Sequence, residues 1–155
     1  MALSSHAFGY VSDLKKAYRE ACRVLKQGGL FVLCEGNPFY GAVADALTEG
    51  HGVGEVRDYL SLHGPEKWMW EYEGERSVAM WGYSRTLSQT VNPLMEEGFT
   101  LERIVEQGVE DVPHMSEKEK AAIPYLCHWS EKEFALARKL PYSIIMMARK
   151  QRSAY

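Results

Sequence analysis

Side chains that could take part in binding or catalysis follow two short apolar stretches in the first quarter of the chain. Six of them stand where these stretches end: Ser4, Ser5, His6, Phe8, Glu35 and Asn37. If the two stretches are parallel strands, their carboxyl ends meet at one edge of a sheet, where α/β proteins bind ligands. His6 could act there as a general base, because an unperturbed imidazole has a pKa of about 6.5. A hydrogen-bonded loop histidine and a strand-ending Asn37–Pro38 turn explain the same residues without chemistry.

One helix and one strand must position these residues. Helical spacing predicts one buried face made of Leu14, Ala17, Tyr18, Ala21 and Leu25. Ser12 is a suitable N-cap for this helix, and Gly28–Gly29 ends it. The continuously apolar Leu30–Cys34 is typical of a strand that is covered on both faces. A strand, a helix and a second strand in so few residues predict a βαβ unit with a parallel sheet.

A second group of residues with a possible binding role is aromatic. It comprises Tyr59, Trp68, Trp70, Tyr72, Trp81 and Tyr83. The stretches Trp68–Tyr72 and Val78–Tyr83, separated by a Glu73–Gly74–Glu75 turn, predict an antiparallel hairpin. The rings either line a ligand cavity or pack the hairpin onto the sheet. Alternate residues of a strand face the same side, so Trp68, Trp70 and Tyr72 are expected to share one of these roles.

Composition limits the remaining possibilities. The chain has 155 residues, of which 46% are hydrophobic, enough for one domain with a core. A net charge of −3 gives no general electrostatic surface for nucleic acid, so we expect no nucleic-acid partner. The apolar runs are too short to cross a membrane, and we expect no membrane partner. The three cysteines lack C-x-x-C spacing and the histidines lack metal-site spacing, which predicts a cytoplasmic location and no metal.

Several stretches also match the sequence motifs of a known protein family. SSHAFGYV, REACRVLKQGG and LFVLCEGNPF resemble the second half of a class I S-adenosylmethionine-dependent methyltransferase of the type 11 group. In that family the run E-x-x-R-V-L-K-P-G-G closes the helix before the fifth strand, and Gln27 replaces its proline here. SRTLSQTVNPLMEEGFTLERIVE and LPYSIIMMARK resemble its later segments. In the first of these two, Leu87, Val91, Leu94 and Met95 predict one helical face, ended by Gly98.

The resemblance implies the fold in more detail. It predicts a single partial methyltransferase domain over residues 1–155, of α/β class, with a Rossmann-like sheet. The strands present would be the family's fourth, fifth, seventh and sixth in spatial order, the last of the chain running antiparallel. Residues 51–84 would form an inserted, aromatic-rich hairpin segment. The N-terminal strands that carry the cofactor loop would be missing; Glu49–Gly54 imitates that loop but follows a predicted helix, so we interpret it as a flexible connection.

The resemblance also assigns roles to residues. S-adenosylmethionine is the implied cofactor, bordered by Ser4, Ser5, His6 and Phe8, with His6 as the catalytic candidate. A small-molecule methyl acceptor would contact Tyr10, Glu35, Asn37, Trp68, Tyr83 and Arg85. Ser84 stands where the family often has histidine, so no histidine-dependent role is expected at that position.

Two functions of different classes follow. In the first, the chain is the acceptor-side portion of a methyltransferase and is inactive in isolation, because the donor loop is missing. In the alternative, it keeps only a fold remnant and serves as a non-catalytic assembly or binding module. Either way, the edge strand at Ala2–Ser5 would lack a neighbour, so we expect a homodimer joined there or at the following helix.

Overall fold

The computed structural model describes residues 1–48, 58–62, 64–72, 76–108, 115–116, 118–119 and 131–152. In chain order its elements are β1 (Ala2–Ser5), α1 (Leu14–Val24), β2 (Leu30–Gly36), α2 (Pro38–Thr48), β3 (Pro65–Tyr72), β4 (Arg76–Tyr83), α3 (Leu87–Glu96), β5 (Phe99–Gln107), α4 (Glu131–Ala137) and β6 (Ser143–Lys150). Short 3-10 turns occur at Phe8–Tyr10 and Tyr59–Ser61. Among the described helices, none combines the length and the apolar character that crossing a bilayer requires.

Four of the strands form one sheet in the spatial order β1-β2-β6-β5. β1 runs parallel to β2, with α1 as the crossover between them, whereas β6 runs antiparallel to both of its neighbours. The predicted α/β class, the βαβ unit and the antiparallel last strand between two others are confirmed. β3 and β4 pair antiparallel in a separate two-stranded sheet, which confirms the predicted hairpin.

The helix ends show local capping chemistry that the sequence reveals in part. The Asp13 side chain, not Ser12, caps α1 by accepting from the backbone N–H of Lys16 at 2.9 Å, so the predicted cap was one residue early. Thr86 begins α3 with a capping box shared with Gln89. Gly98 follows α3 in the left-handed region, as its predicted ending residue. Met95, predicted on one helical face with Val91 and Leu94, is 43% exposed, whereas those two are buried.

The main core lies between the sheet and helices α1 and α3. Its buried members are Leu14, Tyr18, Leu25, Phe31, Leu33, Val91, Leu94, Phe99, Ile144, Met146 and Ala148. Four aromatic rings connect across it: Phe8 stacks on Tyr18 with centroids 5.2 Å apart, and Phe31 bridges to Phe99 at 5.5 Å. A second, smaller cluster joins α2 to α4 through Tyr40, Leu136 and Ala137. Burial of these side chains is the main stabilising contribution that orders the loops at the sheet's edge.

Two predictions fall largely on residues outside the described part of the chain. The glycine-rich stretch Glu49–Gly54 is outside it, and so is most of the predicted helical connection Met115–Arg138, of which α4 is described. The inserted segment 51–84 is described as a 3-10 turn and the two hairpin strands. Its division into a separate structural unit stays a prediction.

Candidate functional site

A cavity of about 330 Å³ lies where β1 and β2 end. The loop after β1, the end of β2, the start of α2, the end of β4 and the start of α3 surround it, and two side chains of β6 close it. The lining residues are His6, Phe8, Gly9, Tyr10, Leu14, Glu35, Gly36, Asn37, Pro38, Gly41, Ala42, Leu62, Tyr83, Ser84, Arg85, Leu87, Thr90, Ile144 and Met146. Because β1 and β2 are parallel, this is the sheet edge at which α/β folds bind ligands.

Most of the residues selected from the sequence lie on this cavity. The structure brings together His6, Phe8, Tyr10, Glu35, Asn37, Tyr83 and Arg85. Ser4 and Ser5 do not line it; they belong to β1, opposite Leu33 and Cys34 of β2. Trp68 lies in β3, opposite Met80, and its side chain is outside the described part of the structure.

Glu35 holds the loop that follows β1. Its carboxylate accepts three backbone N–H groups, from Ala7 at 3.2 Å, Phe8 at 3.0 Å and Gly9 at 3.3 Å. These N–H groups begin the 3-10 turn Phe8–Tyr10, so the carboxylate acts as a cap supplied from the neighbouring strand. The sequence-based expectation placed Glu35 at the acceptor; in the structure its oxygens face the protein backbone.

Arg85 holds the same loop from the other side. Its guanidinium donates to the carbonyl oxygens of Phe8 at 3.4 Å, Val11 and Ser12 at 3.3 Å. It also lies over the ring of Tyr83, with its carbon atom 5.0 Å from the ring centroid. Burial lowers the pKa of Arg85 from its ordinary value, yet arginine remains charged at any physiological pH. The six-residue stretch 7–12 is held on one side by Glu35 and on the other by Arg85. We call these two residues and this stretch the loop clamp.

Beneath the loop clamp lies a buried tyrosine. The Tyr18 side chain is fully buried and stacks on Phe8, and its hydroxyl finds no hydrogen-bond partner among the described residues. Burial, and secondarily the negative charge of Glu35, raise the pKa of Tyr18. The hydroxyl is therefore neutral over the whole physiological range.

His6 occupies the point where β1 turns into the loop. Its φ of 48° is in the left-handed region, which costs a residue other than glycine conformational energy. Its backbone N–H donates to the Cys34 carbonyl at 2.8 Å, and its Nε2 lies 4.0 Å from the Cys34 sulfur. Burial raises the pKa of the Cys34 thiol, so this sulfur is a neutral neighbour and not a thiolate nucleophile.

Asn37 is part of the wall as a helix cap. Its side-chain oxygen accepts from the backbone N–H of Phe39 at 3.0 Å and of Tyr40 at 3.4 Å, at the start of α2. Its amide nitrogen donates to Glu106 at 3.1 Å. The alternative of strand-ending turn chemistry therefore describes Asn37 well, because both functional atoms of the amide are engaged.

Sequence reasoning missed several wall residues. Ser84 donates to Glu66 at 2.7 Å, and Thr90 donates to the Thr86 carbonyl at 3.1 Å. Ile144 and Met146 are alternate residues of β6, which the strand pattern predicts as core and nothing in the sequence marks as cavity. The signal for Ser84 was its place beside Arg85 in the family-like segment.

The arrangement suits binding and alignment of a small molecule more than covalent catalysis. Within the described residues, no group of three or more His, Cys, Asp or Glu side chains is placed to hold a metal ion. The wall offers one imidazole at its strand end, aromatic rings from the loop and β4, a few polar side chains that bind other protein groups, and apolar side chains. Such a mostly apolar cavity with a few placed polar groups is typical of a ligand site.

Comparison with known proteins finds the same fold in several methyltransferases. A family model described as a methyltransferase domain matches residues 1–33. None of the curated proteins matches the chain. The chain shares its fold with a candidate S-adenosylmethionine-dependent methyltransferase from Listeria monocytogenes, at 20% identity and a TM-score of 0.62, covering 97% of this chain and 60% of that one.

Two further solved structures extend the comparison. An S-adenosylmethionine-dependent methyltransferase from Mesorhizobium loti matches at 28% identity and a TM-score of 0.58, over 96% of this chain and 60% of that one. A Haloferax volcanii methyltransferase in complex with a methyltransferase activator matches at 11% identity and a TM-score of 0.55, over 99% and 54%. The chain thus has a methyltransferase fold and spans about 60% of the length of the first two structures.

Proposed function

We propose that the cavity binds the methyl acceptor of an S-adenosylmethionine-dependent methyl transfer and that the chain is the acceptor-side portion of that enzyme. One observation carries the proposal: the β1–α1 loop, the end of β2 and the Tyr83–Arg85 segment meet around a mostly apolar cavity at the carboxyl ends of parallel strands. The methyltransferases among the matching structures support it.

The loop after β1 fits a place beside the cofactor. Phe8 and Tyr10 bring aromatic rings to the wall, and the face of an aromatic ring stabilises a cation such as a sulfonium. When bound, S-adenosylmethionine supplies a methyl group that is already activated for transfer. Of the four residues expected at the cofactor, His6 and Phe8 keep that proposed role, while Ser4 and Ser5 lie off the wall.

In this proposal the chain's residues align the methyl acceptor and remove a proton from it. The loop clamp fixes His6 and Phe8 relative to the acceptor cavity, which favours an in-line approach of the reacting atoms. His6 takes a proton at Nε2 from the acceptor as its nucleophilic atom becomes methylated. The apolar wall from Leu62, Ile144 and Met146 excludes water from the acceptor.

Transfer of a tritiated methyl group tests the proposal. The native gene product is incubated with labelled S-adenosylmethionine and a metabolite extract, and labelled product and S-adenosylhomocysteine are quantified. We expect His6→Ala to slow transfer about a hundredfold at pH 7, and Lys16→Leu, on the exposed side of α1, to have no effect. Absence of transfer and of S-adenosylhomocysteine with the unaltered protein would contradict the function.

Inactivity of the 155-residue chain by itself is a separate part of the proposal. Titration calorimetry of this chain with S-adenosylmethionine is expected to show no saturable binding at submillimolar concentration. Micromolar affinity would instead assign a cofactor-binding role to Gly50–Gly54.

We also propose a homodimer. β1 pairs with β2 along one side, and no described strand pairs with its other side, where Leu3 is 67% exposed. Light scattering during size-exclusion chromatography decides this, because a clean monomer of 17.6 kDa at high micromolar concentration contradicts the proposal. The same exposed edge favours the second candidate function, a non-catalytic binding module, if methyl transfer is absent. The cytoplasmic location stays a prediction.

A further inference from the structure

The charged side chains on the cavity wall are already occupied by the protein. Among the described lining residues, Glu35 and Arg85 are the side chains with a permanent charge at neutral pH. Glu35 accepts three backbone N–H groups, and Arg85 donates to three backbone carbonyls. A ligand that paired with either group would have to replace these contacts, and the loop after β1 would lose its support.

Three neutral polar side chains of the wall are engaged in the same way. Asn37 caps α2 and donates to Glu106, Ser84 donates to Glu66, and Thr90 donates to a carbonyl of its own helix. The His6 imidazole differs, because its neighbour is the Cys34 sulfur at 4.0 Å, a weak partner. His6 therefore keeps hydrogen-bonding capacity for a ligand at the strand end of the cavity.

We infer that the cavity takes a small, uncharged, mostly apolar acceptor, whose polar atom lies at His6. This inference rests on the proposed function, since it names the substrate class of the same site. A charged ligand would leave water for a wall whose charged side chains already bind backbone groups, which is unfavourable without a new partner. An apolar ligand gains from the contact with Leu62, Ile144 and Met146.

The size of the cavity limits which acceptor molecules it can hold. Ligand sites commonly range from about 300 to 1,000 Å³, so a cavity of about 330 Å³ is at the small end. A molecule of one or two rings carrying a hydroxyl or an N–H suits this volume.

Matched pairs of neutral and anionic probes test the charge preference. Methyl 4-hydroxybenzoate is compared with 4-hydroxybenzoate, and indole with indole-3-acetate, by titration of the protein at about pH 7.5 without S-adenosylmethionine. We expect the neutral member of each pair to bind at least about tenfold more tightly, a difference of about 1.4 kcal/mol. Equal or tighter binding of the anions overturns the inference, and so does the lack of measurable binding of both neutral probes.

A filled-cavity variant tests the location. Gly41 lines the cavity from α2, and a β-carbon added there meets no atom within 4 Å. Gly41→Leu should therefore fold and weaken the neutral probes at least tenfold, whereas Lys16→Leu adds the same side chain on the exposed part of α1. Unchanged binding in Gly41→Leu, with a melting temperature at or above that of the unaltered protein, places the probes elsewhere and overturns the inference.

Failure of this inference and failure of the proposed function give different results. Probe binding needs no cofactor, so a neutral preference without any methyl transfer leaves the substrate class standing and removes the function. Transfer of the label to a carboxylate-bearing or phosphorylated acceptor gives the opposite result. It supports the proposed function and contradicts the inference that the acceptor is uncharged.

Discussion

Glu35 and Arg85 at the cavity wall use the same side-chain types as Glu102 and Arg149 on the sheet surface, but their partners differ. Glu102 and Arg149 pair with each other across β5 and β6, where both are exposed, and Arg149 also donates to the Gly28 carbonyl at 2.9 Å in an exposed hydrogen bond. Glu35 and Arg85 instead bind backbone N–H and carbonyl groups of one loop, half-buried beside the core. Surface ion pairs contribute little to stability, whereas charged groups that satisfy buried backbone groups are costly to remove.

The difference shows where this chain uses charge for positioning. Loops lack the regular hydrogen bonds of helices and strands, so the polar groups of a half-buried loop need partners from elsewhere. Glu35 comes from β2 and Arg85 from the start of the α3 segment, so two elements far apart in sequence hold the stretch 7–12. These contacts hold the loop that carries Phe8 and directly follows His6.

Removing the carboxylate of the loop clamp should have the largest effect. Glu35→Ala leaves three backbone N–H groups without an acceptor, and we expect the free energy of unfolding to fall by about 1.5–3 kcal/mol. Urea denaturation measures this. Glu35→Gln keeps one acceptor oxygen and should lose less; an equal loss in both variants would show that the charge, and not hydrogen bonding, matters.

Replacing the guanidinium should have the next largest effect. Arg85→Lys keeps the positive charge but cannot reach three carbonyls at once, so we expect a loss of about 1–2 kcal/mol. Arg149→Lys is the surface control, since its ion pair and its one carbonyl contact are both exposed, and it should lower the free energy of unfolding clearly less than Arg85→Lys. Similar losses in the two variants would remove the distinction between the clamp and the surface pair.

A pair of tyrosines sharpens the comparison at the level of single hydroxyls. The buried Tyr18 hydroxyl has no described partner, so Tyr18→Phe should leave stability unchanged or raise it by up to about 1 kcal/mol. The Tyr59 hydroxyl accepts from the backbone N–H of Leu87 at 2.7 Å, so Tyr59→Phe should lower stability by about 0.5–1.5 kcal/mol. A clear loss in Tyr18→Phe would reveal a bound water or another partner at that hydroxyl.

The smallest expected effect is the pH dependence of the surface pair. Arg149 lowers the pKa of Glu102 below its ordinary 4.5, so the pair stabilises the fold above pH 4.5 and loses this contribution as the pH falls through the lowered pKa. The melting temperature of Glu102→Gln should therefore lie slightly below that of the unaltered protein at neutral pH and converge with it once the pH is below the lowered pKa. A difference in melting temperature that persists at acidic pH would contradict the expected direction of the pH dependence.

The candidate site was predictable in outline for a physical reason. Residues that follow parallel strands gather at one edge, so the order of the residues is enough to group His6, Phe8, Glu35 and Asn37. Their partners could not be assigned in this way, because the hydrogen bonds of Glu35 and Arg85 to the stretch 7–12 join residues 26 to 77 positions apart in the chain. Ser4 and Ser5 illustrate the limit, since their position in β1 leaves them off the cavity wall.

The sequence by itself determined the local elements, because helical spacing, a strand-like apolar run and glycine endings act within a few residues. These features defined β2, the hairpin and most of α1, which ends at Val24 and so before the predicted Gly28–Gly29. The family-like segments indicated that β6 joins the sheet antiparallel. The tertiary structure alone decided what the charged residues do. A carboxylate or guanidinium at the end of an element can face a ligand, a backbone loop or water, and its choice is set by which unpaired groups the completed fold brings within hydrogen-bonding distance.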